Sequence, residues 1–186
     1  MSMRRRGRCC ACEIPGDLLD GGGMQDESQP HEILPAEGVL ADLDETIRQR
    51  LAAAGEFLTL PEGKYLAIQG QLPETLSFIL SGSVSVKSHA HGDTVELAKL
   101  GAGESIGEMA TIDPRPASAS VRTNEETHVW QISRQDFDAF LESDTAAGYL
   151  IMKALAKELC GRIRRDTERS LREADQRHSD SYRADY

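Results

Sequence analysis

Apolar residues along this chain follow two different spacings. Leu40, Leu43, Ile47 and Leu51 succeed one another at steps of three, four and four, which predicts one face of a short amphipathic helix ending near Gly55. From Leu76 to Val86 the period becomes two. Leu76, Phe78, Leu80, Val84 and Val86 are apolar, whereas Ser77, Ser81, Ser83, Ser85 and Lys87 are polar, with Ile79 the one exception. That alternation predicts a half-buried strand, and Gly82 inside it predicts a bulge or a close backbone approach. Turn sequences at Pro61-Glu62-Gly63, Gly70 to Pro73, Gly92-Asp93, Gly101 to Gly103 and Asn124-Glu125 recur at intervals suited to a jelly roll or small barrel. His128 shares a parity with Trp130 and Ile132 in the strand-like Thr127–Ile132 stretch, which predicts a satisfied core histidine.

Helical spacing returns at Phe137, Phe140 and Leu141, behind the capping box Ser133-Arg-Gln-Asp136. A longer helix is predicted after Ser143 or Asp144, with the stripe Met152, Leu155, Leu159, Ile163 packed on the core or paired with a second copy as a homodimer. Glu168 with Arg172, and Glu173 with Arg177, support its continuation as i,i+4 pairs. The class is therefore α+β, mainly β: a jelly-roll (double-stranded β-helix) barrel with a short N-terminal helix and C-terminal helices. Its expected divisions are a mobile leader over 1–38, the barrel over 39–142, a C-terminal helix over 143–175 and a tail over 176–186.

Charge narrows the function classes. The net charge of -10 argues against a groove that tracks nucleic-acid phosphates, so no DNA partner is expected. No apolar run approaches the roughly 20 residues that cross a bilayer, and the expected location is the cytoplasm. Arg4, Arg5, Arg6 and Arg8 form a basic arm. Cys9, Cys10 and Cys12 beside it lack the spacing of a disulfide framework and read as a reducible tail; a metal would need a fourth ligand such as His31.

The stretch from Ile106 to Val121, IGEMATIDPRPASASV, carries the chemistry. Gly107 lets backbone approach closely, and the amides of Glu108, Met109 and Ala110 form the first turn of a short helix, whose end favours an anion. The Glu108 carboxylate can accept a hydrogen bond from a sugar hydroxyl or cap its own helical turn. With the strand sequence LPEGKYLAIQGQLPETLSFILSGSVSV, this stretch resembles the cyclic-nucleotide-binding domain family of catabolite-activator-type regulators, kinase regulatory subunits and gated channels, over roughly residues 40 to 165. The resemblance implies that Ile106 to Val121 is the phosphate-binding cassette, built around the short helix that opens at Gly107, that cyclic AMP or cyclic GMP is the ligand, that Glu108 grips the ribose, and that no catalysis occurs.

Aligned on Gly107 to Ala110 and on Ser118 to Val121, the family's phosphate-binding arginine falls on Ala117. Loss of a bidentate guanidinium costs about 2 to 4 kcal/mol, and every ~1.4 kcal/mol is tenfold in affinity. Arg115 either replaces it from two residues away or faces solvent in its Pro-rich turn. Ser118 offers a hydroxyl to the phosphate or to a guanine amino group, and Ala119 completes the segment.

Two rivals accompany this reading. His89, His91 and Glu96 resemble the first metal motif of cupins, but the second motif is missing and the histidines fall at a hairpin tip. The other rival is a ligand-independent adaptor that keeps the fold. Neither an effector domain nor a DNA-reading helix-turn-helix is read in the chain, so output is expected to reach a protein partner through the last helix or the basic arm.

Overall fold

The computed structural model describes residues 33–90 and 93–184. The basic arm, the cysteine cluster, His31 and His91 lie outside them, as do the side chains of Glu173 and Arg177. A single 3-10 turn, Gly38–Leu40, precedes helix α1, Glu45–Ala54. Leu40, Leu43, Ile47 and Leu51 are all buried, as their spacing predicts. They do not share one helix, because Asp44 caps α1 with its carboxylate on the Ile47 amide (2.9 Å) and starts it after Leu43.

Eight strands follow among the described residues: β1 Glu56–Leu60, β2 Tyr65–Ala67, β3 Thr75–Ser81, β4 Ser83–Ala90, β5 Asp93–Gly101, β6 Ser105–Ile106, β7 Ser120–Thr123 and β8 Thr127–Ser133. Helix α2, Glu108–Ile112, separates β6 from β7; α3, Arg134–Ser143, and α4, Thr145–Ala184, close the chain. The strands form two antiparallel four-stranded sheets, β1-β8-β3-β6 and β2-β7-β4-β5, which make an antiparallel β-sandwich of jelly-roll type.

The Leu76–Val86 pattern spans two strands in different sheets. Gly82, at φ +86°, makes the corner, and a side chain there would meet the Glu126 carbonyl at 2.7 Å. Nor is β3 half-buried. Leu76 and Phe78 pack under the helices with Trp130, Phe137 and Ile151, while Ile79 joins Val84, Leu100, Ile106 and Val121 between the sheets. The exception in the alternation is thus the residue that fills the barrel. Ser77, 1% exposed, is satisfied by the Gln131 side-chain amide at 3.0 Å.

His128 corrects another expectation. It is exposed and hydrogen-bonded to Thr59 Oγ1 at 3.0 Å. Trp130, two residues on, is buried with its indole N–H on the Ala52 carbonyl, because α1 covers that part of β8 and stops short of its first residues.

The predicted cap at Ser133 forms, with the Asp136 amide on Ser133 Oγ at 3.0 Å, and the Ser133 hydroxyl donates to the Asp136 carboxylate rather than the Ser133 amide completing the box. In α4 the buried face is Ala147, Ile151, Ala154 and Leu155. Of the predicted stripe Leu155 is buried, Met152 and Leu159 are half-buried and Ile163 is 65% exposed. The helix is continuous to Ala184, across the boundary the sequence places at 175, and so is about 60 Å long.

Candidate ligand site

The eight residues singled out in the sequence, Gly107, Glu108, Met109, Ala110, Arg115, Ala117, Ser118 and Ala119, all line one cavity of about 350 Å³. That volume is at the small end of ligand pockets. Leu100, Ile106, Val86 and Val121 make much of its remaining wall. The bend at Gly107 has a reason that differs from ligand approach. Its φ is +87°, and a Cβ there would stand 2.2 Å from the Thr75 carbonyl oxygen, so glycine is what lets α2 sit against β3.

The segment after α2 is pinned by backbone. Ala117 N–H donates to the Gln71 carbonyl (2.8 Å), and its own carbonyl accepts from Gly70 N–H (2.9 Å). Ser120 Oγ accepts from the Gln69 amide at 3.0 Å. Position 117 therefore faces the cavity in a fixed place and brings only a methyl group. Arg115 leans on Asp113 at 2.7 Å and is 78% exposed, so its charge is already shared and wet. Met109 is 62% exposed, whereas Glu108 is 3% exposed.

The cation nearest that buried acid comes from an element the sequence did not connect with the site. Arg162 of α4 lines the cavity, with Nη1 on Glu108 Oε1 (2.6 Å) and Nη2 on the Ser105 carbonyl (2.6 Å) and Glu158 Oε1 (2.5 Å). Glu158 in turn accepts from the Ser105 amide and hydroxyl, at 3.1 and 2.5 Å. Arg162 Nε is buried without a partner. These contacts tie α4 to β6 and α2. One signal for them was available in the sequence: Glu158 and Arg162 stand seven residues after Ile151 and Leu155, continuing the buried face with an i,i+4 charge pair where apolar residues would be expected.

Burial pushes the Glu108 carboxyl above the usual carboxylate range, opposed by Arg162. A raised folded value means that the native state holds the proton more tightly than the unfolded chain. Its contribution to stability is complete below the ordinary value of 4.5 and is lost as pH rises through the folded value. Glu108→Gln is expected to remove that downward slope, read as a flatter urea-midpoint profile above pH 4.5 than the parent's.

Among the described residues no group of three or more His, Cys, Asp or Glu could hold a metal. His89 lies on β4 opposite Thr94, with its backbone bonded to the Gln69 side chain, and Glu96 lies beside Lys87 and Lys99.

The chain is thus an antiparallel jelly roll in which a short inner helix sets a buried acid beside a largely apolar cavity. Residues 57–144 match the model of the cyclic nucleotide-binding domain, and this part of the chain is a member of that family. The chain is 34% identical over 117 residues to the Pycsar effector protein XpPycTIR of Xanthomonas perforans, covering 62% of this chain and 37% of that protein. It is 33% identical over 100 residues to the cyclic AMP receptor protein of Thermus thermophilus, covering 53% and 46%. It thus spans less than half of these relatives. A solved cyclic nucleotide-binding domain from Methylobacillus flagellatus superposes with a TM-score of 0.67 at 28% identity, over 71% of this chain and 75% of that one. No described helix is long and apolar enough to cross a membrane.

Proposed function

We propose that this chain is a non-catalytic regulatory module whose cavity senses a cyclic nucleotide weakly or through an altered phosphate contact, and whose α4 passes occupancy to a protein partner. The observation that carries this reading is the Glu108–Arg162–Glu158 chain, because the acid to which the resemblance gives a sugar hydroxyl is also the acid that holds α4. Any ligand that engages Glu108 therefore acts on the docking of α4, and the coupling is reciprocal. One relative is named a cyclic AMP receptor, which supports the ligand class. The exposed stretch of α4 over residues 163–172 is the surface offered to a partner or to a second copy.

Hydrogen exchange of the full chain with and without millimolar cyclic AMP and cyclic GMP tests the coupling. Amides of α4 between about residues 150 and 165 are expected to change protection on addition of ligand. Unchanged protection throughout the chain at millimolar nucleotide would leave the ligand-independent adaptor as the better reading. Arg115→Ala is expected to alter nucleotide affinity less than threefold, since Asp113 already engages that guanidinium in solvent; a tenfold loss in titration calorimetry would restore Arg115 as the phosphate contact.

A further inference from the structure

The cavity combines a buried acid, Glu108, with no surplus positive charge. Two guanidiniums reach its wall, and both are already engaged: Arg115 by Asp113, Arg162 by Glu108 and Glu158. Three carboxylates against two guanidiniums leave the ionised group at −1, and a proton on Glu108 brings it only to neutral. Drawing Arg162 toward an incoming anion would strand two carboxylates, in residues with side chains 4% and 10% exposed, without their counter-ion. Position 117, where the wall is held rigidly, supplies a methyl group. The remaining surface is largely aliphatic, which suits a flat, uncharged ring system.

Glu108 keeps hydrogen-bonding capacity beyond the Oε1 that takes Arg162, because a carboxylate has about four lone-pair positions and accepts without donating when ionised. Its demand is for hydroxyl donors. We infer that this site prefers an uncharged, hydroxyl-bearing ligand of nucleoside size to the corresponding cyclic monophosphate. The inference rests on the cavity being the sensing site, and it names the form of ligand that site accepts best.

Titration calorimetry of the full chain with adenosine, guanosine, their 3′,5′-cyclic monophosphates and 2′-deoxyadenosine tests it. Each nucleoside is expected to bind at least tenfold more tightly than its cyclic monophosphate, and 2′-deoxyadenosine at least tenfold more weakly than adenosine. Ala117→Arg, its fold checked by thermal melting, is expected to gain roughly ten- to a hundredfold for the cyclic monophosphates and to reverse the order. Equal or tighter binding of a cyclic monophosphate by the parent overturns the inference. So does equal binding of adenosine and 2′-deoxyadenosine. If the parent binds none of the five probes and Ala117→Arg binds the cyclic monophosphates, the cavity is a ligand site and the inference fails. Silence of both chains overturns the cavity reading as well. Should Ala117→Arg not fold, the comparisons on the parent still decide.

Discussion

Arg162→Ala is expected to destabilise the protein by about 3 kcal/mol, lowering the melting temperature by roughly 10 °C. The side chain is 20% exposed, and the side chains of its partners Glu108 and Glu158 are 4% and 10% exposed. Removing it leaves two carboxylates facing each other in a poorly solvated place. Breaking a buried pair from one side commonly costs 3 to 5 kcal/mol, and the partial exposure of Arg162 puts the effect near the lower end. The deficit carries a pH signature. Without the guanidinium, nothing from Arg162 opposes the burial that already makes Glu108 hold its proton more tightly in the folded state than in the unfolded chain, so lowering the pH toward 5 stabilises the variant relative to the parent. Thermal melts of both proteins across pH 5 to 8 check this, and a deficit that does not shrink at low pH would show that the charge cluster is not its source. Because Arg162 is also the link from α2 to α4, the variant is expected to lose the ligand-dependent protection of α4.

Gly107→Ala is the second large effect. The residue sits at φ +87°, where an L side chain is strained, and the new methyl would lie 2.2 Å from the Thr75 carbonyl oxygen, a backbone atom that cannot rotate away. Either β3 or α2 must move. Strained dihedrals alone cost about 1 to 3 kcal/mol, and the overlap adds to that. An expected loss of about 3 kcal/mol or more in urea unfolding would be accompanied by loss of ligand binding, since displacement of α2 carries Glu108 with it. Gly70→Ala provides the contrast. Gly70 has φ +81°, yet nothing lies within 4 Å of its added Cβ, so that variant should show the conformational cost alone and keep its cavity. Equal losses in the two variants would mean that the contact with Thr75 is unimportant.

Much of this could be read before any coordinates. The period-two run, the spaced turn residues and the Gly-Glu-Met-Ala stretch at 107–110 point to a jelly roll with an inner helix, and the residues of that stretch line one cavity. Local signals sufficed because each depends on neighbours a few positions apart: strand parity, turn residues, a capping serine at 133. The position of His128 was misread for a related reason. Parity tells which face a side chain takes, but not how far along the strand the covering helix extends.

The amino-acid order by itself determined the jelly roll, the short turn that opens at Gly107 with the acid beside it, and the methyl group at Ala117, where the resemblance implies a guanidinium. Only the tertiary structure decided what charge the cavity carries. Glu108 and Arg162 are 54 residues apart in the chain. A hydrophobic pattern is blind to Glu158 and Arg162, because they are polar residues on a buried helical face. Their effect on the site exists only once α4 lies against β6 and brings that charge pair to Ser105 and Glu108.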